Sequence, residues 1–174
     1  MPKILIVSDT HGLEDEVSAI KERHNDVDAM IHCGDSELSY DSKELEGFYY
    51  AKGNCDFERE MQEEQTVTVG DLTLIVVHGH LHQVKTTLMP LSYRAEEVGA
   101  QVACFGHSHI AAAEKVGDTL FINPGSARLP RDRKEPTYAM LEWKSLSEVH
   151  LMFYRVDGAP MPDLSLTTEL AAKN

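Results

Sequence analysis

The chain has few of the residues that mark secreted, disordered or membrane-spanning proteins. Among its 174 residues there are three cysteines, seven prolines and eleven glycines. Three thiols without zinc-ribbon or redox-motif spacing favour a reducing cytosol, and the low proline and glycine content argues against a disordered or collagen-like chain. No apolar run approaches the roughly 20 residues that cross a bilayer, and the N-terminus lacks a signal-peptide cleavage site. We therefore expect a cytoplasmic protein with no membrane partner.

Basic residues are scarce as well. Lys and Arg number 16 against 29 Asp and Glu, which gives a formal net charge of −13. A protein that binds a long nucleic-acid polymer needs a basic groove, so this charge counts against such a partner. It does not exclude a small phosphate-containing substrate, because bound metal ions can reverse the sign of a local site.

The organisation predicted from composition is simple. Hydrophobic residues make up 42% of the chain, and a chain of this length can bury a core without disulfides or metals to staple it. No repeat, low-complexity tract or linker divides it. We predict a single domain over residues 1–174 with an irregular tail from about Asp157. The sequence leaves the oligomeric state open, a homo-oligomer included.

Apolar patterning places strands and helices in alternation early in the chain and mostly strands later. The expected helices cover residues 13–23 and 91–98. The expected strands cover residues 3–8, 29–32, 48–51, 66–69, 72–77, 102–105, 112–116, 119–122, 137–142 and 149–155. This order is typical of an α/β domain, with one mixed sheet or two, and the number of elements favours two stacked sheets with helices outside.

Histidine is the unusual residue of this sequence. There are nine, and most lie with Asp, Asn and Gly in loops that follow predicted strands. These loops contain Asp9 with His11, Gly34 with Asp35, Gly53 with Asn54, His78 with Gly79 and His80, and Gly106 with His107 and His109. In open α/β sheets ligands bind beyond the carboxyl ends of the strands, and glycine lets the backbone pass close to them. The loops are therefore expected to converge on one crevice.

The ligand types in these loops exceed what one metal ion needs. Two carboxylates, one amide and three or four imidazoles fit two ions that share a bridging carboxylate, as in hydrolases of phosphate esters. Taken singly, an aspartate after a strand, such as Asp9 or Asp35, is more often a turn or helix cap than a ligand. His32 lies within an apolar strand, where packing or support of the site is the better interpretation.

The ordered series of motifs resembles a known family. Asp-x-His, Gly-Asp, Gly-Asn-Cys-Asp, His-Gly-His and Gly-His-x-His are similar to the motifs of calcineurin-like metallophosphoesterases, and most of all to the small single-domain bacterial and archaeal phosphodiesterases. The likeness spans Lys3 to about Leu129, and Asn123-Pro-Gly-Ser126 also matches. It implies a four-layer αββα sandwich with two stacked mixed sheets, and a metal-dependent phosphoesterase that hydrolyses phosphodiesters, with monoesters as a weaker activity.

The resemblance also implies a role for each motif residue. Asp9, His11 and His109 would hold the first ion, Asp35 would bridge, and Asn54, His78 and His107 would hold the second. A hydroxide bridging the ions would attack phosphorus in line with the leaving oxygen. Imidazole and carboxylate ligands favour a divalent transition metal over Mg, with Mn first and Ni, Fe, Co or Zn as alternatives.

The remaining candidates surround these ligands. Many family members carry His after Gly-Asn, able to protonate the leaving group, where this chain has Cys55; the small phosphodiesterases commonly share that replacement. Asp56 would orient the site, His80 would contribute to the phosphate pocket, and Asn54 is a candidate for binding the substrate. The basic segment 128–134 follows the Asn-Pro-Gly-Ser turn, so Arg128 and Arg131 are further candidates for binding the phosphate, with a solvated loop as the equal alternative. A rival hypothesis is an interaction protein on the same fold, as one eukaryotic retromer scaffold subunit is, with weak or no catalysis.

Overall fold

A computed structural model describes residues 1–173 of the chain. Its helices are α1 (Asp15–Arg23) and α2 (Met89–Val98), and a single 3-10 turn spans His80–His82. The strands are β1 (Lys3–Val7), β2 (Ala29–His32), β3 (Phe48–Tyr50), β4 (Glu64–Val69), β5 (Leu72–Val77), β6 (Val102–Cys104), β7 (Ala112–Val116), β8 (Thr119–Asn123), β9 (Thr137–Ser145), β10 (Glu148–Arg155) and β11 (Leu166–Thr168).

The strands form two mixed sheets. The first has the order β11-β10-β9-β1-β2-β3, and the second has the order β4-β5-β6-β8-β7. In the first sheet β1, β2 and β3 run parallel, with Ile6 of β1 opposite Ile31 of β2, while β9 pairs antiparallel with β1. In the second sheet β5, β6 and β8 run parallel.

Side-chain alternation along the strands builds four layers. In β1, Ile4 and Ile6 face the core between the two sheets, and Leu5 and Val7 face the outer side together with Ile20 of α1. On the far side α2 packs against the outer face of the second sheet. Successive residues of a strand point to opposite faces of the sheet. A strand that is apolar at nearly every position, such as β1, is therefore buried on both faces. The αββα sandwich expected from the family resemblance is confirmed.

The parallel strands bring the polar loops to one edge. The carboxyl ends of β1, β2 and β3 lie at the same edge of their sheet, and those of β5, β6 and β8 do so in theirs. At the opposite edge the indole Nε1 of Trp143, in β9, donates to Asp71 Oδ1 in the β4–β5 turn over 3.1 Å. Trp143 is 1% exposed and joins the two sheets there.

The structure differs from the sequence prediction mainly at element ends. Helix α1 begins two residues later than predicted and α2 begins two residues earlier. The tail from Asp157, predicted to be irregular, contains β11, which pairs antiparallel with β10 through Leu166 and Leu151. Its three residues carry too short a pattern to be recognised without the partner strand. Neither helix of residues 1–173 has the length and apolar character that crossing a membrane requires.

Candidate metal centre

The loops at the sheet edge have an unusual backbone conformation. Asp9, His11, Asp35, His107 and His109 all have positive φ, at 53°, 40°, 62°, 69° and 61°. A residue other than glycine that is held in the left-handed region costs of the order of 1–3 kcal/mol of conformational free energy, and such residues cluster at functional sites. Aspartate and histidine are among the residues that tolerate this region. The five positions are therefore held in place by the surrounding fold.

Two glycines allow the carboxylates to approach the backbone. A Cβ added at Gly106 would lie 2.3 Å from Asp9 Oδ2, and one added at Gly53 would lie 2.1 Å from Asp35 Oδ1. Neither distance leaves room for a side chain. Because the glycines lack one, the backbone amides of His107 and Cys55 can donate to Asp9 Oδ2 and Asp35 Oδ1 over 3.1 and 2.8 Å.

The ligand atoms of five of the seven predicted metal ligands converge, and His107 and Asn54 lie outside the two groups they form. His109 Nε2 lies 3.1 Å from Asp9 Oδ1, and His11 Nε2 lies 3.4 Å from His109 Nε2. On the other side, His78 Nε2 lies 3.1 Å from Asp35 Oδ2 and 3.8 Å from Asp9 Oδ1. These atoms form two groups of three, Asp9 with His11 and His109, and Asp9 with Asp35 and His78.

The other nitrogen of each of these rings has a partner. His11 Nδ1 lies 3.0 Å from Glu37 Oε2, His78 Nδ1 lies 2.7 Å from the Cys33 carbonyl oxygen, and His109 Nδ1 lies 2.8 Å from the Leu129 carbonyl oxygen. All three partners accept only, so each Nδ1 donates. In the neutral ring Nε2 then carries the lone pair. Metal-ligating histidines are oriented in this way.

The convergence leaves buried polar atoms without partners. Among the described residues, Asp9 Oδ1 and His78 Nε2 are both buried without a hydrogen bond. An unpaired buried polar group costs about 1–3 kcal/mol, and more if it is charged. A neutral imidazole lone pair that faces carboxylate oxygens is repelled by them unless a cation lies between. The residues present therefore fit a divalent metal centre.

The sharing of the carboxylates differs from the expectation. Asp35 was expected to be the bridging residue, yet Asp9 is the carboxylate common to both groups. The distances alone do not single out Asp35, and its bridging role stays a prediction.

Comparison with known proteins decides the family. Residues 2–146 match the model of the calcineurin-like phosphoesterase superfamily domain. The chain belongs to this superfamily. A probable metallophosphoesterase of Bacillus subtilis, YsnB, is 49% identical over 162 residues, covering 92% of this chain and 95% of the relative. A phosphodiesterase of Methanocaldococcus jannaschii is 32% identical over 143 residues, covering 71% of this chain and 82% of the relative.

Solved structures agree with the family and with the fold. A predicted phosphoesterase from Streptococcus pneumoniae superposes with a TM-score of 0.91 at 36% identity, covering 95% of this chain and 96% of that one. Vps29 of Entamoeba histolytica, complexed with Zn²⁺, has a TM-score of 0.76 at 20% identity, covering 95% of this chain and 98% of that one. At that identity the second likeness shows the fold alone.

Opposing influences set the protonation of the two carboxylates in this member of the superfamily. Burial raises the pKa of Asp35, but the neighbouring His78 ring and the Cys55 amide outweigh it, and the pKa falls to about 2. Burial likewise raises the pKa of Asp9, and His109, His78 and Ser8 bring it below its ordinary value. Both carboxylates are therefore ionised at neutral pH.

The histidines of the centre divide into two kinds. The Asp9 carboxylate, 3.1 Å from Nε2, raises the pKa of His109. Burial lowers the pKa of His78, but the Asp35 and Asp9 carboxylates outweigh it and the pKa rises. Burial, the charge of His78 and then that of Lys85 lower the pKa of His107 to about 4. A proton on His78 or His109 occupies the position that a metal cation would take.

Asp56 supports the loops. Its Oδ2 accepts from the backbone amides of Asp35 and Gly53, each over 2.9 Å, and from the Tyr50 hydroxyl over 2.6 Å, while its Oδ1 accepts from the Glu37 amide over 3.1 Å. Asp56 is 5% exposed. These bonds account for both of its oxygens, so its role is to fix loops rather than to touch substrate.

His32 connects two of the loops from beneath. Its Nδ1 accepts from the Gly34 amide over 3.0 Å, which leaves Nε2–H to donate to Thr10 Oγ1 over 3.1 Å. Burial lowers the pKa of His32 to about 4, against the charges of Asp56 and Asp9. The sequence placed His32 in packing or in support of the site, and the contacts agree with support.

Other predicted residues lie around the centre. His80 is half-buried, with its ring centroid 5.4 Å from that of His78 and 6.1 Å from that of His107. Cys55 Sγ lies within 4.8 Å of the ligand atoms of His11 and Glu37. Asn54 is exposed, with its Nδ2 3.8 Å from Cys55 Sγ.

The two predicted arginines differ in their surroundings. The Arg128 guanidinium donates to the His11 carbonyl oxygen, so it fixes that loop. Arg131 is exposed, and its amide donates to the His109 carbonyl oxygen over 2.8 Å. Substrate binding by either side chain stays a prediction. Sequence reasoning missed Glu37 and Lys85, because neither stands in a recognisable motif.

Glu37 provides a test of how the ligands are oriented. We expect Glu37→Ala to weaken metal binding about 10–100-fold, because His11 Nδ1 loses its acceptor. Isothermal titration with Mn²⁺ measures the affinity, and Glu22→Ala, an exposed glutamate on α1, is the matched control. Equal affinities in the two variants would show that Glu37 does not orient His11.

His32 links the loops to pH. Its pKa is about 4 in the folded chain against an ordinary 6.5, so the unfolded state binds more protons between these values and stability falls as pH falls through that window. His32→Gln keeps an acceptor and a donor but does not titrate. With chelator present, denaturant unfolding at pH 7.5 and 4.5 should show a smaller loss of stability for His32→Gln than for the unaltered protein. An equal loss in the two proteins would exclude His32 as a source of the pH dependence of stability.

Proposed function

We propose that this phosphoesterase hydrolyses phosphodiesters, and monoesters more slowly, with two bound divalent transition-metal ions, Mn first among them. The observation that carries the proposal is the meeting of His11, His78 and His109 Nε2 atoms with the Asp9 and Asp35 carboxylates, each ring having its Nδ1 already bonded. The orphaned buried atoms Asp9 Oδ1 and His78 Nε2 support it.

Seven residues would hold the ions. They are Asp9, His11, His109 and Asp35 around one, and Asp35, Asn54, His78 and His107 around the other. Bound divalent ions supply Lewis-acid stabilisation of phosphoryl oxygens and lower the pKa of coordinated water. The chain's own contribution is to keep both carboxylates ionised, keep the Nε2 lone pairs turned inward, and fix the loops so that little reorganisation is needed.

Two arguments support a preference for phosphodiesters, one from the charge of the substrate and one from similarity to a relative. A diester carries less negative charge than a monoester at neutral pH, so it needs fewer basic side chains around the phosphate. A relative covering most of this chain's length is named a phosphodiesterase, which supports the same substrate class. We place the protein in the cytoplasm as a single domain, with small phosphoesters as its partners and nucleic-acid polymers disfavoured by the net charge of −13.

The rival hypothesis is an interaction protein with weak or no catalysis, and it predicts different properties for the site. It needs no ionised carboxylates aimed at oriented imidazoles, and both are present here. Metal content of the purified protein, with hydrolysis of bis(p-nitrophenyl) phosphate before and after chelation, separates the two. No hydrolysis with metals bound would favour the rival, and hydrolysis that chelation does not reduce would refute the metal dependence.

Asp35→Asn should be the most damaging single substitution. The substitution removes a carboxylate charge that would balance both ions, so we expect kcat/KM to fall by more than the roughly 10–100-fold typical of residues that only orient a ligand. The exposed Asp118→Asn, in the β7–β8 turn, is the matched control. An Asp35→Asn protein that keeps two metals and its full rate would refute the assignment.

Cys55 predicts a dependence on the leaving group. Proton donation by a well-placed acid is worth about 10²–10⁴-fold when the leaving oxygen needs the proton, and a thiol is a poorer donor than an imidazolium. We expect aryl diesters to react far faster than alkyl diesters, Cys55→Ala to change the aryl rate little, and Cys55→His to accelerate the alkyl reaction selectively. The measurement is kcat/KM for one aryl and one alkyl diester in all three proteins. A large aryl loss in Cys55→Ala, with metals retained, would contradict this role.

A further inference from the structure

A cavity of about 440 Å³ lies next to the metal centre, on the outer face of the second sheet. Its walls are mainly apolar, from Val84, Leu88, Phe105, Ile110 and Phe121. Small-molecule sites generally occupy about 300–1,000 Å³ and have mostly apolar linings with a few polar groups. The cavity therefore has the size and character of a site for an organic group.

The cavity and the metal centre share a wall. Ser108, which lines the cavity, stands between His107 and His109 in the chain. Asn123, also in the lining, donates through Nδ2 to Ser108 Oγ over 2.9 Å and to the Gly106 carbonyl oxygen over 3.2 Å. One face of this loop thus carries metal ligands and the other bounds the cavity, with a fixed separation between them.

The charges on the cavity wall suit a phosphoester. Lys85 and Arg131 both line it, and Glu114 is the acidic residue among the lining side chains. Arg131 is attached to the histidine loop by its amide bond to the His109 carbonyl oxygen. Two cations beside an apolar recess match a molecule with an anionic phosphate at one end and an apolar group at the other.

We propose that this cavity binds the non-reacting ester group of the substrate and that this group contains a flat aromatic ring. Phe105 and Phe121 supply ring surfaces on which an aromatic group can pack. A second cavity of about 530 Å³ shares Val84, Leu88 and Phe121 with the first and continues towards Tyr93 on α2. The groove is therefore long enough for a group larger than a single ring. This inference rests on the proposed phosphodiesterase function.

The test uses three diesters that release the same p-nitrophenolate when water replaces it on phosphorus. Their second ester groups are methyl, phenyl and 5′-thymidyl. Because the leaving group is constant, differences in kcat/KM report the second group alone. We expect the phenyl or thymidyl diester to exceed the methyl diester about tenfold, as burial of part of a ring would give. A gain for phenyl alone identifies a simple aryl ester, and a greater gain for thymidyl identifies a nucleoside ester.

Filling the cavity should remove this gain. Ala112 lines the cavity from the exposed edge strand β7, so Ala112→Trp should bring the aromatic-to-methyl ratio close to one. Ala112→Leu fills it less and should lower the ratio partly, which covers a failure of the larger variant to fold. Thr66→Trp, exposed on β4 at the opposite edge of the same sheet, is the control and should keep the ratio.

The possible outcomes distinguish a failure of the cavity assignment from a failure of the proposed phosphodiesterase function. Metal-dependent hydrolysis of the methyl diester, with no gain for either aromatic diester, would overturn the cavity assignment and leave the phosphodiesterase proposal standing. A gain that persists in both Ala112→Trp and Ala112→Leu would also overturn it. No metal-dependent hydrolysis of any of the three would overturn the phosphodiesterase proposal itself.

Discussion

The burial of two ionised carboxylates against imidazole nitrogens is the constraint on which the rest of this structure depends. Asp9 is fully buried and Asp35 is 2% exposed, and burying a charge is costly unless it is paired and hydrogen-bonded. The fold meets this cost with amides from the loops opposite, with histidines, and with glycines that leave no side chain in the way. The left-handed residues, Asp56 and His32 all hold this arrangement in position.

The fold could be predicted from the sequence wherever a pattern was long or chemically distinctive. Buried runs such as Lys3–Val7 and the hairpin around Gly70 were located closely, since apolar periodicity and turn residues are local properties. The short strand Leu166–Thr168 was missed, because three residues form a strand only where a partner is available. Its partner strand, β10, provides the register that the sequence does not show.

The candidate site was also predictable only in part, namely its ligands but not most of the contacts that support them. Asp, His and Gly after strands indicated the ligands, since their spacing is visible in the chain. The supporting contacts were not visible, because they join distant residues: Glu37 reaches His11 across 26 positions, and Asp56 reaches Asp35 across 21. The sequence named the ligands and suggested Asp56 and His32 as supports, but it did not indicate Glu37, which orients His11. Fold likeness alone would have said less still, since one architecture hosts many functions.

The placement of Trp143 has a practical consequence for anyone who handles this protein. It is the single tryptophan of the chain, it is buried, and its indole joins the sheets at the edge away from the histidine loops. Its fluorescence will therefore change when the contact between the sheets is lost and will change little when only the histidine loops are altered. The molecule thus carries a built-in optical reporter that distinguishes a variant with a damaged scaffold from one with an intact scaffold and a damaged site.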